Sequence, residues 1–125
     1  MNADRGSISV VAAAAIGIAL ACSVGVADVA KVLVVRAHAQ AAADSAALAA
    51  AQELAFASGR LPASLAGEFA KRDGATLLGC KCDPGTTEAI VHVSMPVGRL
   101  LLVPGDRTVF AWARAVVDLP GARQG

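Results

Sequence analysis

The chain has 125 residues, room for one small domain and an additional segment. Its 11 Lys and Arg against 10 Asp and Glu give a net charge of +1, which argues against a protein built to grip nucleic-acid phosphates. With 56% apolar and 17% charged residues, disorder over most of the chain is excluded. The aromatic residues are only Phe56, Phe69, Phe110 and Trp112, and about 30 residues are alanine, so an aromatic-lined enzyme pocket is excluded too.

The segment Met1 to Gly6 carries Arg5 offset by Asp4. From Ile8 to Ala27 there are 20 residues without a charge, the length of helix that crosses the roughly 30 Å hydrocarbon layer of a bilayer. The polar members Ser9, Cys22 and Ser23 can be satisfied against the helix backbone. The first expectation is therefore a single membrane helix. The competing reading is a cleaved secretory signal, for which Gly25-Val26-Ala27 offers a small-x-small site. The run is longer than the roughly 7–15-residue apolar core of a signal, and the segment before it is weakly basic. Cleavage near Ala27 would make the chain a secreted small binding module or effector. Arg5 before the run and Lys31 and Arg36 after it favour the C-terminal part inside by a margin of one residue.

Helical character continues beyond Ala27. Asp28 and Lys31 stand at i and i+3 and share a face. Val32 to Val35 and the alanine-dense stretch from Arg36 to Leu54 follow, with no Gly or Pro between Val26 and Ser58. The stop is Ser58-Gly59-Arg60-Leu61-Pro62. One helix from about Ser7 to about Ala57 is expected, roughly 75 Å long at 1.5 Å per residue. This divides the chain into a leader or cytoplasmic segment 1–6, a long helix 7–58 and a small domain 59–125. Ala13, Gly17, Ala21 and Gly25 recur at spacing four, a small-xxx-small stripe that lets membrane helices approach closely, although alanine-rich composition alone also generates such stripes. The outer half has only Leu48, Leu54 and Phe56 as large apolar residues. It must pack under the C-terminal domain or against copies of similar helices.

Residues 59–125 predict a small α+β unit. Pro62 to Arg72 suits a short helix with Pro62 in the first turn, Lys71 and Arg72 at the C-terminal end, and Leu61, Leu65 and Phe69 as its apolar face. Asp73-Gly74 ends it. Ala75 to Cys82 is a strand and Asp83-Pro84-Gly85-Thr86 a turn. Glu88 to Val97 alternates, with Val91, Val93, Met95 and Val97 facing one way and Glu88, Ile90, His92 and Ser94 the other. Arg99 to Val103 is ambiguous between strand and a turn of helix, and Pro104-Gly105-Asp106 is a turn. Thr108 to Leu119 predicts a last strand with Val109, Ala111, Ala113, Ala115 and Val117 on one face, followed by a loose tail, Pro120 to Gly125. The whole is α+β: a long helix, a short helix and a three-stranded antiparallel sheet.

Little in the sequence points to chemistry. Of the three cysteines, Cys22 lies in the apolar run and serves as a small apolar residue. Cys80 and Cys82 are candidates for a disulfide or redox role, although an i, i+2 disulfide is strained and two unpaired strand cysteines are the default expectation. An intermolecular disulfide is open to them if the domain is exported. A Cys-x-Cys pair with His92 is too few ligands for zinc, and His38 lies far off along the rod, so no metal is expected. No GxSxG, HExxH or phosphate loop occurs, and Gly105-Asp106-Arg107 is a turn. His92 is a surface strand histidine, and Asp44 is solvated or contacts a partner helix. The expectation is a non-enzyme with no cofactor, no nucleic-acid partner and no small-molecule substrate.

Asp4-Arg5-Gly6-Ser7 before the apolar run, and the block Arg36-x-x-Ala39-Gln40-Ala41-Ala42-Ala43-Asp44-Ser45-Ala46-Ala47-Leu48-Ala49-Ala50-Ala51 after it, resemble the TadE-like proteins, minor pilins or pseudopilins of the Tad/Flp pilus machinery. The pattern is most similar to the actinobacterial TadE-like group encoded near a secretion ATPase and a helicase, and Gly79-Cys80 after the short helix also fits. The resemblance implies a helix whose first half is held in the membrane, with a small α/β domain on the extracytoplasmic side. It implies cleavage after Gly6, leaving Ser7 as the new N-terminus. It implies as partners membrane lipid and other pilin-like or Tad-apparatus membrane proteins, self-association included. At the fifth position after that cut stands Val11, where pilins so processed usually carry the Glu that registers subunits in a filament; a stationary membrane component of the machinery fits this departure.

Overall fold

A computed structural model describes residues 3–118. Helix α1 runs from Ala3 to Ala55 without a break, 53 residues and about 80 Å long. It begins earlier than the expected Ser7 and ends two residues before the expected Ala57. Helix α2 spans Pro62–Arg72, and strands β1 (Thr76–Lys81), β2 (Glu88–Gly98) and β3 (Arg107–Val116) follow. The strands form an antiparallel meander in the order β1-β2-β3, so the chain is α+β. Residues 1–2 of the expected leader and the expected tail Pro120–Gly125 lie outside the described residues.

The core lies between the second half of α1 and the inner face of the sheet. Ala39, Ala42, Ala43, Ala46, Ala47 and Ala50 are sealed, at the i, i+3, i+4, i+7 spacing of one helix face. Val91, Val93 and Met95 of β2 and Ala111 and Ala113 of β3 meet them. The division of labour is physical. Alanine methyls let the sheet sit close on α1, and the strand valines supply the bulk, contributing about 1.5–3 kcal/mol each on full burial. Of the two fates open to the outer rod, the structure shows it packing under its own C-terminal domain. The alternation read in β2 and β3 is the alternation observed: Val91, Val93, Met95 and Val97 are buried, and His92 is exposed.

Three local features differ from expectation. In α2 the buried residues are Pro62, Ala66 and Ala70, one position on from the expected face. Leu65 and Phe69 are half-buried flanks, and Leu61 is an exposed N-cap residue. The cause is the alanine face of α1: a stripe of small residues allows α2 closer than leucines would. Arg99 to Val103 is neither strand nor helix but the start of an irregular β2–β3 loop, 99–106. The third strand ends at Val116, three residues before the expected Leu119, which itself lies outside the described residues.

The connections follow from their residues. Asp73-Gly74 closes α2 with Gly74 N–H donating to Lys71 and Ala75 N–H to Ala70, the paired bonds of a Schellman cap. In the β1–β2 turn, Pro84 presets φ and Gly85 takes φ +92°, while Thr86 N–H donates to Asp83. At the end of α1 the Glu53 carboxylate accepts the Ser58 N–H at 2.6 Å, the Ser58 hydroxyl at 2.7 Å and the Arg60 N–H at 3.2 Å. These bonds, the Ser58 hydroxyl foremost, hold the Glu53 carboxyl below the usual glutamate range against the opposing effect of burial.

Candidate functional site: the apolar helix and the loop clamped to it

The first half of α1 is uncovered. Apart from Val24 and Gly25, every residue from Ile8 to Ala27 is exposed, with Ile16 at 62%. A helix this apolar and this bare is long enough to cross a membrane. Cys22 is an exposed free thiol in this run. Gly6 and Ser7 are exposed residues of the first turns of α1.

The small-residue stripe has two environments. Ala13, Gly17 and Ala21 are exposed, and a Cβ placed on Gly17 would meet nothing within 4 Å. Gly25 is half-buried, and a Cβ there would stand 3.8 Å from Leu102 Cδ1. The stripe is therefore open over three of its positions and closed at the fourth by the chain's own β2–β3 loop.

Immediately past the apolar run, two charged side chains fasten that loop to α1. Asp28 Oδ1 accepts the Leu101 N–H at 2.8 Å, and Asp28 Oδ2 accepts the Leu102 N–H at 2.7 Å. One turn on, Lys31 Nζ donates to the Arg99 carbonyl at 2.6 Å. Asp28 is only 8% exposed. The two residues that sequence reasoning set side by side as an i, i+3 pair are thus both spent on the loop. Gly98, at the irregular end of β2, takes φ +77°, and a Cβ added there would stand 3.6 Å from Lys31 Nζ. A side chain at that position would be strained by the positive φ, although the space beside the ammonium would admit a Cβ.

Cys80 and Cys82 form a disulfide with Cα atoms 5.5 Å apart, where two unpaired strand cysteines were the default. Positions i and i+2 share one strand face, and β1 ends at Lys81 between the two cysteines, so their thiols stand on the same side of the chain. Asp44 is exposed and accepts from Gln40 Nε2, which also donates to the Trp112 carbonyl. His38 and His92 are exposed. Among the described residues no three His, Cys, Asp or Glu side chains group to hold a metal ion.

Sequence reasoning missed the role of Asp28. A signal was present: a carboxylate abutting a 20-residue apolar run inside an unbroken helix is costly at a membrane boundary unless something nearby satisfies it.

Residues 6–53 match the family model described as "Putative Flp pilus-assembly TadE/G-like". The match covers α1 almost end to end and none of the sheet. No curated protein and no solved structure matches the chain. The family of pilus-assembly proteins so matched is generally non-enzymatic, and with the bare apolar helix it indicates a membrane-anchored protein. Over residues 6–53, then, a stretch shorter than half of the chain, the protein is similar to the TadE/G-like pilus-assembly family.

Proposed function

We propose that this protein is a non-enzymatic, single-pass subunit of a Tad/Flp-type pilus or a related secretion apparatus, resembling a minor pilin and acting through helix–helix packing. The observation that carries the reading is the division of α1. Its first half presents a bare apolar surface, its second half is buried under the chain's own domain, and the family match lies on this one helix. Residues 8–27 sit in lipid, and residues 59–125 with the second half of α1 stand on the extracytoplasmic side. The open stripe of Ala13, Gly17 and Ala21 takes the helix of another pilin-like or apparatus protein, or of a second copy. Gly6-Ser7 is the processing junction. With Val11 in place of an acid, subunit registration falls to this packing or to the outer domain.

The test is crosslinking in native membranes. Gly17→Leu fills the stripe at a position where an added Cβ meets nothing within 4 Å, so it is expected to leave insertion intact and to weaken crosslinks to partner helices. Equal crosslinking in the variant and the parent contradicts the packing role.

A further inference from the structure

We propose that the β2–β3 loop, residues 99–106, is a second membrane contact, its Leu101 and Leu102 side chains entering the interfacial layer of the bilayer that residues 8–27 of α1 cross. The inference rests on that spanning reading and adds a partner to the loop.

Three observations place the loop. The first is its level along α1. An apolar run of 20 residues rises about 30 Å, one hydrocarbon thickness, so its end at Ala27 marks the outer boundary of the lipid. The loop is fastened at this boundary, to Asp28 and Lys31, and its Leu102 reaches back over Gly25, inside the run. The second is its surface. Leu101 is 74% and Leu102 60% exposed, adjacent apolar side chains continuous with the bare helix beside them. The third is its backbone. Irregular chain enters a poorly hydrated layer only if its donors are satisfied. The N–H groups of Leu101 and Leu102 are both taken by the Asp28 carboxylate, so the two leucines are presented on amides whose donors already have partners within the protein. Arg99, Asp106 and Arg107 are exposed at the loop's two ends, where headgroups and water would meet them.

The occupant this arrangement fits is lipid. A partner helix would need a face broad enough to bury it, whereas two leucines flanked by charges at the end of a membrane span match the interfacial layer. With α1 crossing the bilayer, the loop sets the height of the outer domain and resists rotation of the protein about the helix axis.

The test uses the full chain with Cys22→Ser and its disulfide intact, in vesicles of phosphatidylcholine and phosphatidylglycerol. Three single-cysteine variants, Leu101→Cys, Ile16→Cys and Leu48→Cys, carry an environment-sensitive fluorophore. Lipids bearing quenchers at shallow and deep positions report depth, and aqueous iodide reports exposure. All three sites are exposed on the protein, so labelling leaves the core untouched. The expected result is deep-lipid quenching at Ile16, iodide quenching at Leu48, and at Leu101 a blue-shifted emission quenched by the shallow lipid with loss of iodide access. Leu101 behaving like Leu48 while Ile16 remains in lipid overturns the loop contact alone. Leu101 shielded from iodide and from both lipids, more so at higher protein density, assigns the loop to a second copy and also overturns it. Absence of lipid quenching at Ile16 overturns the spanning reading, and the loop contact with it.

Discussion

Asp28 Oδ2 and the backbone N–H of Leu102 meet at 2.7 Å across 74 positions of sequence, and this bond joins the middle of α1, just past its apolar run, to the loop between the last two strands. Its companion bond to Leu101 uses the other carboxylate oxygen. Asp28→Ala removes both acceptors, so the two leucine amides lose their partners. Hydrogen exchange at Leu101 and Leu102 is expected to quicken by at least about tenfold while exchange in β2 and β3 holds. Unchanged exchange at those two amides contradicts the clamp.

Ala46 of α1 is fully buried in the core. Ala46→Leu inserts three carbons into this fully buried position, and is expected to cost about 1–3 kcal/mol in unfolding free energy. Leu48 is exposed two residues away, and Leu48→Ala is expected to stay within about 0.5 kcal/mol. Denaturant unfolding of the two variants checks the contrast. Similar effects would mean that the rod is not buried along the alanine face described.

Glu53 links stability to pH. Its folded-state pKa is lowered, chiefly by the Ser58 hydroxyl, so its contribution is complete above the pKa of an unfolded glutamate and is lost as pH falls through the lower folded value. Thermal stability from this source is expected to be level above about pH 5 and to decline below about pH 4. Other carboxylates titrate in the same window, so the decisive quantity is the difference between the parent and Glu53→Gln. The variant should be less stable near neutrality, with the gap narrowing in acid. A constant gap contradicts the role.

The disulfide between Cys80 and Cys82 closes a loop of three residues, so it removes little entropy from the unfolded chain. Replacing both by serine is expected to cost no more than about 1–2 kcal/mol. Without reductant, alkylation of the unfolded chain should modify Cys22 alone; after reduction it should reach all three cysteines. Three modifications before reduction would contradict the pairing.

The features legible in sequence are those set by local periodicity. The charge-free run, the absence of helix breakers up to Ser58 and the alternation of Val91, Val93 and Met95 are each contained in a short window, and each corresponds to an observed element. The clamp was not legible in this way. Lys31 meets Arg99 across 68 positions and Asp28 meets Leu101 across 73, so pairing the two on their own helix was the natural local reading. The α2 face was displaced by one residue because size decided it: Ala66 and Ala70 fit the alanine surface of α1, and Leu65 and Phe69 do not. The Cys80–Cys82 bond depends on how β1 ends and bends, which alternation does not record.

The central claim is that α1 is a retained membrane anchor of a TadE-like subunit. It is tested most directly by the N-terminus and intact mass of the protein from its native host, with membrane and soluble fractions kept apart. The account predicts a membrane-bound form that begins at Ser7. A membrane-bound form that keeps residues 1–6 would retain the anchor and remove the processing step, and a soluble form beginning at Asp28 would contradict the account.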